Sequence, residues 1–198
     1  MRLVNFVSNL ATPPLPHAKE KRETCTDDLM NARMIDDYDI SLGREEDIPG
    51  ILVLQESNLA EQGGGLSVRQ TADWYRNAIF EKSLVVGRHN RRVIGYVLGT
   101  SLVAKAHVMI IQTMLRNFPP PPDCYLYGPV CVAETERGRG LAGALFRVLQ
   151  TYMAGRPAMT FIRADNLPSL RAHRKMGMSK LGTFVSEDVS YIALSYNG

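Results

Sequence analysis

Tyr125-Leu126-Tyr127-Gly128-Pro129-Val130-Cys131-Val132-Ala133, continued by Glu134-Thr135-Glu136-Arg137-Gly138-Arg139-Gly140-Leu141-Ala142, is the stretch that decides the fold. Its first part is rich in aromatic and β-branched side chains, which suit a buried, pleated strand. Beyond it, Leu141, Leu145, Val148 and Tyr152 recur at helical spacing. The charged and glycine-bearing residues between strand and helix therefore form the turn into a helix N-terminus. Backbone N–H groups there lack intrahelical acceptors, and the helix dipole is positive. Glycines let an anion approach that backbone closely, and the guanidinium forks of Arg137 and Arg139 add donors suited to phosphate.

Two phosphate-binding patterns compete for this turn. Gly138-Arg139-Gly140-Leu141-Ala142-Gly143 spells the dinucleotide fingerprint G-x-G-x-x-G, with Asp165 following near the expected distance of roughly 20 residues. Context opposes that reading. A Rossmann turn places its first glycine directly after the strand, whereas Glu134 to Arg137 intervene here, and too little chain follows for a nucleotide sheet. The alternative is a family resemblance: Arg137-Gly138-Arg139-Gly140-Leu141-Ala142 resembles the R-x-x-G-x-G/A signature of the GNAT superfamily of acyl-CoA N-acyltransferases. A second match follows in Asn166-Leu167-Pro168-Ser169-Leu170-Arg171-Ala172-His173-Arg174-Lys175-Met176-Gly177-Met178. Family members commonly carry an asparagine after the fifth strand, a tyrosine or histidine seven residues later, and Gly-Phe at eleven and twelve. Asn166, His173 and Gly177 meet those spacings, and Met178 replaces the phenylalanine, a departure that concerns packing.

The resemblance implies an α/β fold with a mixed, mostly antiparallel sheet, a parallel central pair and flanking helices, within a domain over 35–198. It implies an acetyl-CoA-dependent N-acetyltransferase acting on an amine of a small molecule or peptide. The cofactor would be held by Cys131 and Val132 at the strand end, by Arg137, Gly138, Arg139, Gly140, Leu141 and Ala142 around its pyrophosphate, and by Asn166, Ser169 and His173 along its pantetheine arm. The resemblance places the oxyanion near the Val132 backbone N–H; Pro129 has no N–H and cannot serve. His173 stands at the family's usual acid position, and a departing thiolate with a pKa near 8.5 asks little of it; the bland alternative is that it merely contacts the pantetheine or solvent.

An alkyl amine with a pKa of about 10.4 is less than roughly 0.1% neutral at pH 7, so its attack needs a base. No carboxylate lies in the strand before Glu134. Glu134 and Glu136 flank the phosphate turn, Tyr127 and Glu56 are weaker candidates, and the base stays unassigned. The missing base keeps a second class open, a sensor that binds acyl-CoA without turning it over.

The rest of the chain fits one soluble domain: 198 residues, 45% hydrophobic and 22% charged, suffice for a single core. A formal charge of +3 without a lysine-arginine run argues against nucleic acid. Cys25, Cys124 and Cys131 read as reduced thiols of a cytoplasmic protein. His17, His89, His107 and His173 form no cluster with them, so no metal is expected. No apolar run reaches membrane length. The proline- and charge-rich segment 1–34 reads as a tail, its short apolar run too interrupted for a signal peptide, with Met34 as an alternative start.

Asp39 to Leu42 reads as a strand, followed by a helix from Pro49 through Leu59 that Gly63-Gly64-Gly65 stops. In the family this break borders the acceptor site. Ser67-Val68-Arg69-Gln70 reads as a capping box opening a second helix. Ser83–Gly87 and Val93–Gly99 form a hairpin across Arg88-His89-Asn90-Arg91-Arg92. A helix over Ala106–Phe118 could cover the acceptor pocket or serve a homodimer contact. Pro157–Ala164 makes the strand parallel to the signature strand, and Lys180–Val185 with Val189–Tyr196 close the chain.

Overall fold

The computed structural model of the protein describes residues 37–197 apart from positions 67, 104 and 106. The expected tail over 1–34, Met34 included, lies outside the described residues. Seven strands, β1 (Asp39–Leu42), β2 (Leu84–His89), β3 (Arg92–Ser101), β4 (Tyr125–Val132), β5 (Ala158–Arg163), β6 (Ser179–Ser186) and β7 (Val189–Tyr196), form one sheet in the order β1-β2-β3-β4-β5-β7-β6. Every neighbouring pair is antiparallel except β4 and β5. This is the mixed sheet with a parallel central pair that the sequence implies. Five helices flank it: α1 (Ile48–Glu56), α2 (Ala72–Phe80), α3 (Met109–Asn117), α4 (Leu141–Tyr152) and α5 (Leu167–Lys175). Among the described residues no helix is long and apolar enough to cross a membrane.

Side-chain alternation along the strands divides the core. Leu84, Val86, Tyr96, Leu98 and Cys131 pack with Ile51, Leu54 and Tyr75 of α1 and α2. Val85, Val97, Tyr125 and Tyr127 pack on the opposite face with Leu141, Leu145, Phe146 and Leu149 of α4. The inward stripe of α4 is thus rotated from the expected one, with Tyr152 left exposed, because Phe146 and Leu149 meet the sheet. The first turn of α4 lies close to the strands. Gly87 and Gly95 pair across β2 and β3, and a Cβ at Gly95 would lie 3.1 Å from both Leu141 and Leu145 side chains. Met178, in place of the family's phenylalanine, is buried in the same cluster.

Several boundaries differ from expectation for local reasons. The chain turns at Ser57, whose N–H still reaches the Val53 carbonyl, so α1 ends before Leu59. Thr71 caps α2 by accepting the Trp74 N–H at 3.2 Å, in place of the expected box at Ser67, which lies outside the described residues. The hairpin turn is only Asn90-Arg91, with φ of 49° and 65°, a pair of left-handed residues that matches strand twist. Arg88, expected in the loop, consequently belongs to β2 and is buried, with 5% of its surface exposed.

Asp47 makes that burial tolerable. Its carboxylate, itself buried, accepts from Arg88 Nε at 2.7 Å and Nη2, and from the Arg44 N–H at 2.7 Å. Arg88 also donates to Ser41 Oγ at 2.9 Å and the Leu42 carbonyl at 3.2 Å, tying β1 to β2. Removing one partner leaves an uncompensated buried charge, whereas removing both does not. Asp47→Ala is expected to lower unfolding free energy by about 3–5 kcal/mol in urea titrations, and Asp47→Leu combined with Arg88→Met to restore most of it.

Candidate active site

The parallel pair opens at the centre of the sheet. β4 and β5 pair only at Tyr125–Ala158 and Leu126–Met159, although β4 continues to Val132 and β5 to Arg163. Beyond Leu126 the two strands part, leaving a gap edged by the backbone of β4. The direction of that backbone follows from the ladder with β3. Ala133 N–H donates to Ile94 O at 2.8 Å, and Val132 lies opposite Gly95. Alternate residues of an antiparallel pair bond across, so Val130 and Val132 turn their N–H groups away from β3, towards the gap.

The turn after β4 ends beside this gap. A 3-10 turn at Glu134–Glu136 leads to Gly138 and Gly140, both left-handed with φ of 79° and 84°. Intrahelical bonding begins with Ala144 N–H to Gly140 O at 3.1 Å. Among the described residues, the N–H groups from Gly138 to Gly143 make no short, well-aligned hydrogen bond, only the weak ones of the turn over 137–140. The expected amide cradle is therefore not sealed by its own chain, and the dipole of α4 makes it a favourable place for an anion.

Both arginines of the turn already have partners. Arg137 Nη2 donates to Asn58 Oδ1 at 3.0 Å, and Arg139 Nη1 donates to Glu136 at 3.2 Å. The Tyr38 hydroxyl also donates to Glu136 and, foremost, holds that carboxyl below the ordinary range, with help from Arg139 and His89. Glu136, considered as a base, is thus committed to the turn. Glu56 is clamped by Arg69 through contacts of 2.7 and 2.9 Å, and the Arg69 hydrogen bond lowers its pKa. Tyr127 is fully buried, and burial raises its phenol far above neutrality. Glu134 is exposed.

On the other side of the gap, Asn166 Oδ1 caps α5 by accepting the Ser169 N–H at 3.2 Å. His173 is 3% exposed, and its Nδ1 lies 2.7 Å from the Ser169 carbonyl. A carbonyl only accepts, so Nδ1 carries the proton. Burial lowers the His173 pKa below 6.5, which leaves the ring neutral with a lone pair at Nε2. A role as acid would require a second proton there. Tyr127 meets this ring edge-on at 5.5 Å.

Cys131 is buried beside a chain of hydrogen bonds whose direction is fixed at its far end. Gln55 Oε1 can only accept, and it does so from Tyr75 O–H at 2.9 Å and Gln70 N–H at 2.8 Å. Tyr75, having donated, accepts from Tyr96 O–H at 3.0 Å. Burial pushes the Cys131 thiol up to about 11. A thiol so protonated, and packed on the α1 and α2 face, is unsuited to form an acyl intermediate. Sequence reading missed this chain, the Gly87–Gly95 seat and Asn58. Only the glycine seat left a local signal, single glycines within two strand patterns.

With the geometry described, the comparisons are these. The profile of the "Acetyltransferase (GNAT) family" matches residues 52–178. An N-acetyltransferase from Staphylococcus aureus Mu50 is 19% identical, with a TM-score of 0.60 over 81% of this chain and 98% of that one. A ribosomal-protein-alanine N-acetyltransferase from Brucella melitensis is 18% identical, with a TM-score of 0.60 over 80% and 99%. A putative acetyltransferase from Salmonella typhimurium, solved with its cofactor acetyl-CoA, is 15% identical, with a TM-score of 0.62 over 81% and 93%. The architecture is theirs. No curated protein matches the sequence.

The His173 assignment has a direct check. A base whose folded pKa is depressed contributes stability that is present above its unfolded value, near 6.5, and is lost as pH falls through the lowered folded value. In imidazole NMR titrations, the resonance removed by His173→Asn is expected to titrate below 6.5 and to remain neutral at pH 7.

Proposed function

Because the chain belongs to the GNAT acetyltransferase family, we propose that it moves an acetyl group from acetyl-CoA to an amine of a small molecule or peptide by direct attack. The observation that carries this reading is the run of amides from Gly138 to Gly143, none in a well-formed hydrogen bond, beside the gap between β4 and β5. Those amides suit the pyrophosphate, with Leu141 and Ala142 opening the helix behind them. The pantetheine arm would run into the gap, between Cys131 and Val132 on one side and Asn166, Ser169 and His173 on the other.

Chemistry at the gap follows from the groups that edge it. The amine nitrogen, having given its ammonium proton to water, attacks the thioester carbonyl carbon; the carbon–sulfur bond breaks, and the second proton lost by nitrogen ends on the departing sulfur. Val132 N–H donates to the oxyanion that forms between attack and departure. The burial of the Cys131 thiol on the α1 and α2 face, which keeps it protonated, disfavours a route through an acyl-cysteine, so the acetyl group passes in one transfer. We assign His173 to the departing sulfur. The ring, neutral at rest, takes that second proton at Nε2 and passes it to the sulfur; a thiolate of pKa near 8.5 asks little of it. A peptide acceptor is plausible beside small amines, since the Brucella melitensis relative in fold is a ribosomal-protein-alanine N-acetyltransferase.

Thiol release from acetyl-CoA across polyamines, aminoglycosides, amino acids and peptide N-termini tests the proposal. Release with at least one acceptor is expected, together with thermal stabilisation by CoA and none by NADH. Binding of CoA without release across the panel would favour the sensor reading instead. Gly140→Val forces a β-branched residue into a left-handed conformation at a cost of about 1–2 kcal/mol, so CoA affinity measured by calorimetry should fall roughly 5- to 30-fold.

A further inference from the structure

The loop from Asn58 to Leu66, between α1 and α2, touches both halves of the candidate cofactor site. It is closed on itself: Leu66 N–H donates to Asn58 O at 3.0 Å, Ala60 N–H to Leu66 O at 2.8 Å, and Gly64 N–H to Leu59 O at 2.8 Å. A Cβ at Gly64 would lie 1.9 Å from Asn58 O, so this closure admits only glycine there. The loop's root is firm, because buried Asn58 donates through Nδ2 to the Leu54 carbonyl at 2.8 Å. Its two outward contacts lie on different elements. Asn58 Oδ1 accepts from Arg137 of the amide turn at 3.0 Å, and a Cβ at Gly65 would lie 3.2 Å from Nδ2 of Asn166, the cap of α5.

Resting on the acetyl-CoA reading of the turn, we infer that Arg137 and Asn58 are positioning residues, a latch through which occupancy of the turn by CoA fixes the loop over 58–66. The backbone of Arg137 opens the phosphate turn, while its side chain leaves that turn for the loop. Amides without a well-formed hydrogen bond hold the turn least firmly when no anion is present. A pyrophosphate accepting several of them fixes the backbone at Arg137 and hence the origin of its guanidinium. The loop is tied to that group and loses freedom with it, so the cofactor shapes one wall of the gap before an amine enters. Such coupling is reciprocal, and a fixed loop favours the ordered turn in return. The sequence assigns this guanidinium to phosphate; its bond to Asn58 gives it a positioning task in the loop instead.

Hydrogen exchange with mass spectrometry on the full chain, using CoA as the probe, tests the latch, with calorimetry reporting binding separately. In the wild type, saturating CoA is expected to slow exchange over 58–66 by about five-fold or more. Arg137→Met leaves the loop's own hydrogen bonds intact and should abolish that slowing, while CoA is still bound at the concentrations used. Asn58→Ala should do the same from the other partner. If Arg137→Met binds CoA and still protects the loop as the wild type does, the latch is overturned. If the wild type binds CoA without protecting the loop, the latch is likewise wrong but the enzyme reading stands. Failure of the wild type to bind CoA removes both, and calorimetry distinguishes that case.

Discussion

The seating of Leu141 and Leu145 on the Gly87–Gly95 pair is the contact on which the candidate site depends. Packed interiors transmit displacements of a few tenths of an ångström, because there is no free volume to absorb them. A side chain at either glycine would lift the first turn of α4 from the sheet, and that turn bears the amides assigned to the phosphates. The Tyr38–Glu136–Arg139 cluster holds the same turn from its outer side. The position of the helix N-terminus is thus set by apolar contact beneath and hydrogen bonding above. Its capacity for an anion follows from what neither of these consumes.

The parting of β4 and β5 gives the second half of the site its character. A strand that loses a neighbour in mid-sheet exposes a row of backbone groups, ordinarily a liability at an edge. Here the row faces inward, and its orientation is not free: the bond from Ala133 to Ile94 fixes Val130 and Val132 as the residues whose amides face the gap. The same alternation sends the Cys131 side chain to the α1 and α2 face, where it is buried beside Tyr96 and Tyr75. One register therefore turns amides towards the gap and a thiol away from it.

Much of this was legible in the sequence because it depends on neighbours along the chain. The signature strand, the glycine turn, α4 and the Asn166–His173 spacing are all local patterns, and each occurs where periodicity or motif put it. What was hidden depends on partners far away in sequence. Arg88 belongs to a run of polar residues and reads as loop; only Asp47, across the sheet edge, makes its burial stable. Arg137 reads as a phosphate ligand until Asn58 is seen to accept from it. His173 reads as an acid because the resemblance puts one at that position, whereas its ionisation is decided by burial and by the Ser169 carbonyl. Residue identity proposes a chemistry, and long-range packing decides its protonation state.

Those protonation states bear on how a thioester would be activated. His173 is held neutral, Tyr127 is held protonated, and the Cys131 thiol keeps its proton, in each case chiefly because burial penalises the charged form. The strand and helix walls of the gap thus place no full charge from these groups beside a bound carbonyl. Fixed dipoles act more strongly where mobile charge and water are few, since the effective dielectric is lower there. Under those conditions a single well-aimed amide such as that of Val132 becomes the principal polarising group. Formal charge is present around the turn, where Arg139 is balanced by Glu136 and Arg137 is anchored to a neutral amide. The charged part of a CoA molecule and its reactive part would therefore meet different environments, one rich in donors and the other poor in charge.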